Sequence, residues 1–376
     1  MEQTLEENKT VTAKEEPIKK KRLDYIDVCK FIGIFLVTYC HIKEKGMDVD
    51  LIYSFHLPMF FVLAGFTLNV DMPFKDYLFK KVKGYLVPLL FMDLLSVLVD
   101  LGFILYYKDY SRITIQYFLG QIGPIVEQNR INALWFICAL FIGILASYPL
   151  IKIGKKYKWI ILLTFAGSLA WAIFFNNFAP GWINWSFDTA FFAVPFIIIG
   201  FLLKWVVDKF PIMMKGRLIP AGIGILLMGI GILLAYIALK NYNKHLEMWG
   251  GTYKPYWIVL PSAFLGAGGI IFLAKSLSNP VMAELGKGNI VVLALQQSLG
   301  MRLWANVICK DWHEALKTMD NNCIDRYGYA ILGVLLTFAL SYLVYYVIVF
   351  TPLAFTINQK QRKLPFFRKR KENVAE

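Results

Sequence analysis

The sequence predicts an all-α integral membrane protein of about ten transmembrane helices, with both termini cytoplasmic. Three observations predict it. The first is composition: 57% of the 376 residues are apolar and only 18% are charged, against about 45–50% and about 25% in soluble domains. The second is position, because the apolar residues lie in long blocks such as WIILLTFAGSLAWAIFF (159–175) and YGYAILGVLLTFALSYLVYYVIVF (327–350). A span needs roughly 20 mostly apolar residues to cross the hydrocarbon core. The third is charge: the formal net charge is +14, and the Lys and Arg residues fall between the blocks.

The elements follow in order. Residues 1–22 form a polar tail ending in KKKR (19–22). No short apolar run with a small-residue cleavage site is seen there, so the first span is expected to stay in the protein. Spans are predicted at 24–42, 52–70, 85–107, 132–151, 159–176, 187–207, 218–239, 256–274, 289–305 and 327–351. Pro58 sits near the start of the second, where a missing N–H does no harm. The membrane domain is thus 23–352, followed by a basic tail over 353–376. That tail reads as a solvated positive segment or, through its aromatic pair, as an anchor on anionic lipid.

With the N-terminus inside, the inner segments carry 27 Lys and Arg and the outer loops 12. This asymmetry supports ten spans with both ends cytoplasmic. It also argues against nucleic acid as a partner, since no basic domain stands apart from the spans. No internal repeat stands out, so a transporter built from matched halves gains no support. There is no soluble catalytic domain, so any chemistry must lie between helices or in short loops. The five cysteines show no CxxC spacing, and a zinc or redox motif is unsupported. Cys29, Cys40 and Cys138 read as small hydrophobes within apolar blocks. Cys309 and Cys323 share one predicted outer loop, where a disulfide is an open alternative.

The first span, DVCKFIGIFLVTYCHI (27–42), carries an acid, a base and an imidazole. Lys30 and His41 are 11 residues apart, which is three turns plus about 20° at about 100° per residue, with a rise of about 16 Å. They therefore share a face, and Asp27 and Thr38 join it at helical spacing. Ionisable groups in a span cost a few kcal/mol unless paired or hydrated, so they should face the bundle interior. The plainer alternative is an interfacial Asp27–Lys30 pair with His41 at the span's end. His56 opens the next span just before Pro58 and is expected at the depth of His41. Asp93 and Asp100 share a face of the third span, to pair with Lys30 or line a proton path or, more plainly, with Asp100 interfacial and Asp93 simply hydrogen-bonded. Arg130, Asn132 and Trp135 cluster at the outer end of the fourth. Trp182, Trp185, Trp249 and Trp257 fall in or beside outer loops, as a sugar platform or as an interfacial aromatic belt.

RLDYIDVCKFIGIFLVTYCH (22–41) followed by YSFHLPMFFVLAGF (53–66) resembles the start of the integral membrane acyltransferase-3 family. The nearest likeness is to its fucose 4-O-acetylase-like and polysaccharide O-acetyltransferase branch. Lys30 and His41 fit that family's basic residue, ten intervening residues and histidine. The second stretch departs from the branch mainly in a Met for Leu and in Ala64 for Ser. KKVKGYLVP (80–88), ALWFICALF (133–141), AFFAVPFIIIG (190–200) and LGKGNIVVLALQQ (285–297) resemble its later elements. Gly84 stands where an arginine is often found, and Gln296 where the family usually has histidine. The likeness covers about residues 20–350.

The resemblance implies acetyl-CoA as acyl donor, no metal, and a cell-surface or lipid-linked glycan as acceptor, in the plasma membrane. His41 is the expected catalytic base, with His56 as alternative or partner, since imidazole titrates near operating pH. Lys30, with Arg22 and Lys81, is expected to attract the phosphates of acetyl-CoA at the cytoplasmic mouth. Asp27, Arg130, Trp135 and Gln296 are the candidate substrate-binding residues. A transporter or flippase of a lipid-linked sugar is the competing reading, because intramembrane Asp, Lys and His serve it equally well. A receptor or scaffold is disfavoured by the aligned polar stripe.

Overall fold

The computed structural model describes residues 23–115, 117, 133–178, 183–243, 245–249, 254–321 and 323–362. All ten predicted spans are helical. They are α1 (Asp24–Lys43), α3 (His56–Phe66), α5 (Val87–Tyr107), α6 (Trp135–Lys156), α7 (Trp159–Phe178), α8 (Phe187–Lys209), α9 (Leu218–Tyr242), α10 (Tyr256–Ser276), α12 (Asn289–Leu295 and its continuation) and α14 (Ile324–Phe350). Short helices connect them: α2 (Met47–Tyr53), α4 (Phe74–Lys81), α11 (Pro280–Lys287) and α13 (Lys310–Leu316). Among the described residues, eight helices are long and apolar enough to cross a membrane, α2 and α3 counting as one. Consecutive spans alternate in direction. The ends of α1, α5 and α9 therefore share a face with the starts of α6, α8 and α14.

Local chemistry explains α1. Asp24 and Asp27 lie in its first turn and His41 and Lys43 in its last, the signs that the helix dipole favours. It stops where Glu44 adopts φ 65° and its N–H returns to the Cys40 carbonyl at 2.9 Å. Just beyond, Asp48 accepts from Tyr39 (2.6 Å) and from the buried Lys43 (2.5 Å), tying α2 to the end of α1.

The second span is divided. The separate helix α2 begins before the span's predicted start and ends at Tyr53, and α3 restarts at His56. The depth of α3 is set by backbone contact with α8. A Cβ built at Gly65 would lie 1.8 Å from the Ile197 oxygen, and one at Gly200 would lie 1.9 Å from the Val62 oxygen. Only glycine permits that approach at both crossing points.

The ninth span also departs from a plain helix. Beyond α12 it passes through π-helical turns at Gln296–Met301 and Trp304–Ile308. The wider turn leaves the Ala294 carbonyl to side chains: Ser298 donates at 3.1 Å, and Ser96 of α5 at 3.4 Å. Asp100 of α5 accepts from Arg302 and, at 2.5 Å, from Tyr117. Asp100 therefore pairs across to the ninth span and not with Lys30. Cys309 and Cys323 are free thiols.

Candidate functional site

A cavity of about 260 Å³ opens at the α1-end face. α1 contributes Val37 and His41, one turn apart. The α2–α3 turn contributes Tyr53, His56 and Leu57, and the start of α6 contributes Ala133, Trp135 and Phe136. Leu293 and Gln297 close it from the ninth span, and Glu247 and Trp249 from the segment between α9 and α10. Among the described residues, its wall thus holds two imidazoles, one carboxylate, a phenol, an amide and two indoles, and neither Lys nor Arg.

The two histidines are held differently. His56 is 2% exposed, and its Nδ1 lies 2.9 Å from the Ile52 carbonyl. A carbonyl can only accept, so Nδ1 carries the proton and Nε2 keeps the lone pair of the neutral ring. The Tyr53 ring meets the His56 ring edge-on, with centroids 4.9 Å apart. His41 is half-buried in the last turn of α1. Its position is set by helix phase, and Gly33, two turns earlier, leaves room for Met59 and Phe60 of α3.

The segment carrying Glu247 and Trp249 is pinned at two points. His245 Nδ1 lies 3.2 Å from an Asp50 oxygen of α2. Thr189 of α8 donates to the Met248 carbonyl at 3.1 Å. These contacts hold the segment against α2 and α8, and α8 packs on the helix that carries His56.

Other predicted residues fall elsewhere. Lys30 sits near the opposite end of α1 and pairs with the buried Asp27 at 3.1 Å; neither lines the cavity. Lys81 ends α4, with its ammonium over the Tyr77 and Tyr85 rings at 5.3 and 5.6 Å. No bond joins it to Lys30 among the described residues. Gln296 is fully buried, its side-chain oxygen 2.9 Å from the Thr38 hydroxyl. The cavity receives Gln297 in its place, because the π-helical turn that begins at Gln296 resets the angle between successive side chains. Arg22, Arg130, Asn132 and Trp182 lie outside the described residues. Trp135 and Trp249 reach the cavity, whereas Trp257 is 66% exposed on the outer surface of the bundle and packs edge-on against Tyr242.

Glu247, Tyr53 and Gln297 were not singled out from the sequence. Tyr53 stands within the stretch that carries His56, and Gln297 adjoins Gln296. For Glu247 the only trace was an acid between aromatic spans in a short loop.

A family model described as an acyltransferase domain matches residues 23–359, nearly the whole described chain. No curated protein and no solved structure matches it.

Proposed function

The chain belongs to the acyltransferase-3 family and is a membrane acyltransferase; from that premise we propose that it transfers an acetyl group from cytoplasmic acetyl-CoA to a hydroxyl of a cell-surface or lipid-linked glycan. The likeness to the fucose 4-O-acetylase branch supports the choice of acetyl and sugar. The single observation that carries the reading is the convergence of His41 and His56 on one cavity with Trp135, Trp249 and Glu247. Indole faces and a carboxylate suit a hydroxyl-bearing ring, and an imidazole suits the proton that must leave it.

The reaction runs as follows. The neutral His41 ring takes the proton of the acceptor hydroxyl as its oxygen attacks the thioester carbonyl. The tetrahedral adduct collapses, the C–S bond breaks, and the His41 imidazolium returns the proton to the departing thiolate. The products are the O-acetyl ester and free CoA thiol. His56, with Nδ1 tied to Ile52, offers Nε2 to orient the acceptor hydroxyl. That same fixed tautomer favours a second reading in which His56 is the base and His41 the partner. On either assignment Lys30 and Lys81 act on the CoA phosphates as point charges from the basic face. Lys30 does so from within its pair with Asp27.

The test is analysis of surface glycans from cells with and without the protein, and with His41→Ala. O-acetyl groups should be lost while polymer length and amount stay normal. A shortened or stranded polymer would instead favour a transporter of lipid-linked sugar.

A further inference from the structure

The last turn of α1 separates two cavities on the same face of the bundle. His41 faces the one described above. Ile42, Lys43, Glu44 and Lys45 face the other, of about 160 Å³, whose far walls come from α13, its sequel and the start of α14. The two differ in charge. Among the described residues, the His41 cavity holds Glu247 and no Lys or Arg. The second holds four cations, Lys43, Lys45, Lys317 and Arg326, against one carboxylate, Glu44.

The pairing of those cations decides what the cavity can hold. Lys43 is committed to Asp48 at 2.5 Å and to the Tyr327 ring at 3.5 Å. Lys317 meets Glu314 at 2.7 Å, with both side chains more than half exposed, so that pair is screened and readily exchanged. Arg326 donates to the carbonyls of Leu316, Met319 and Asp320 at the end of α13. Among the described residues no carboxylate neutralises Arg326 or Lys45. A guanidinium and two ammonium groups around a small cavity suit a carboxylate or a phosphate.

Two lining groups narrow the class. Glu44 is held at φ 65°, a backbone region that side chains other than glycine rarely adopt and that persists where the surroundings impose it. Its carboxylate and the Asn321 amide line the cavity beside the cations. A bare phosphate would gain nothing from a carboxylate at that place. A sugar acid would: its anionic group goes to the cations, and its ring hydroxyls to Glu44 and Asn321.

We propose that this second cavity binds the anionic group of an acidic saccharide, so that the acceptor is an acidic glycan whose uncharged hydroxyl-bearing unit enters the His41 cavity. The coupling of the two cavities through one acceptor rests on the proposed acetyltransferase reading; the charge-selective cavity does not.

The experiment measures binding without acetyl-CoA. The full-length protein, in phosphatidylcholine nanodiscs, is titrated with a tetrasaccharide of alternating glucuronate and N-acetylglucosamine, and with chitotetraose as the neutral counterpart. The acidic probe should bind at least about tenfold tighter at low salt, and the preference should shrink as ionic strength rises. Lys45→Glu with Lys317→Glu, both at exposed positions, should abolish the preference while the protein still elutes as a single species. Equal binding of the two probes, or a preference untouched by that variant, would overturn the proposal. So would displacement of the acidic probe by phosphatidylglycerol in the disc, which would mark a lipid site. Charge-selective binding without any acetyl transfer would leave the cavity assignment standing and sink the acetyltransferase reading. Acetyl transfer with no charge-selective binding would do the reverse.

Discussion

His56 is fixed by a hydrogen bond to Ile52, whereas His41 takes its position from α1 and its ring has no hydrogen bond among the described residues. This difference makes the two separable by mutation. His41→Ala should lower kcat about 10²–10⁴-fold, the usual contribution of a general base, with acetyl-CoA binding retained. If His41 is the base, His56→Gln should act more on the acceptor KM than on kcat, because an amide can still hydrogen-bond a hydroxyl. Steady-state kinetics with both substrates varied decide it: a larger kcat loss at His56 than at His41 would exchange their roles. Lys30→Ala should raise the KM for acetyl-CoA with a small change in kcat, and Lys30→Arg should restore most of it. An unchanged KM would reject a phosphate contact. The His41–Lys30 alignment was legible because an α-helix has one period. The partners of these residues were not: nothing in the spacing of α1 indicated that Glu247 and Trp249 would face His41.

At the scale of elements, the site depends on how closely α3 approaches α8. Gly65→Ala or Gly200→Ala would place a methyl carbon within 2 Å of a backbone oxygen that cannot rotate away. Such overpacking typically costs about 1–3 kcal/mol or more. Either variant should lower the detergent melting temperature and shift His56. Gly167→Ala, with nothing within 4 Å of the added carbon, should leave stability near the parent value. The segment after α14 is tied to α11 by charge. Burial alone would raise the Glu284 carboxyl, but hydrogen bonds from Arg362 and Lys287 hold it below its ordinary value. Arg362 lies 2.5 Å and Lys287 2.9 Å from its oxygens. A depressed carboxyl contributes stability above the ordinary carboxylate range, which is lost as pH falls through the folded value. Hydrogen exchange over residues 353–362 should therefore be slow and flat from pH 7 to about 5 after correction for intrinsic rates, and rise only below about pH 4. Glu284→Gln should remove that dependence; a parent profile identical to the variant's would contradict the pairing.

For the molecule as a whole, the proposed reaction brings donor and acceptor in from opposite faces. Lys30 and Lys81 lie on the basic face, and both cavities open at the other. One helix joins them: Lys30 and His41 are separated along α1 by about 16 Å, roughly half the hydrocarbon thickness. This arrangement predicts that an impermeant thiol reagent added outside intact cells will label a cysteine introduced at Lys45 and not one introduced at Lys83, each in a background whose native cysteines are silent. Labelling of both, or the reverse pattern, would overturn the orientation on which donor and acceptor sides are assigned.

The sequence by itself determined the all-α membrane class and the position of most of its long apolar helices, while ten spans were expected and eight helices among the described residues are long and apolar enough to cross. A long apolar helix rests on about 20 contiguous side chains and on the dielectric of the bilayer, with no need of a partner. It also determined that Lys30 and His41 share a face, since helical phase is local. The tertiary structure decided which groups surround the imidazole. The break between α2 and α3, the π-helical turn that turns Gln297 in place of Gln296 toward the cavity, and the pinned segment bearing Glu247 and Trp249 all arise where distant helices meet. Those contacts depend on backbone approach and on hydrogen bonds between residues far apart in the chain, which no local period records.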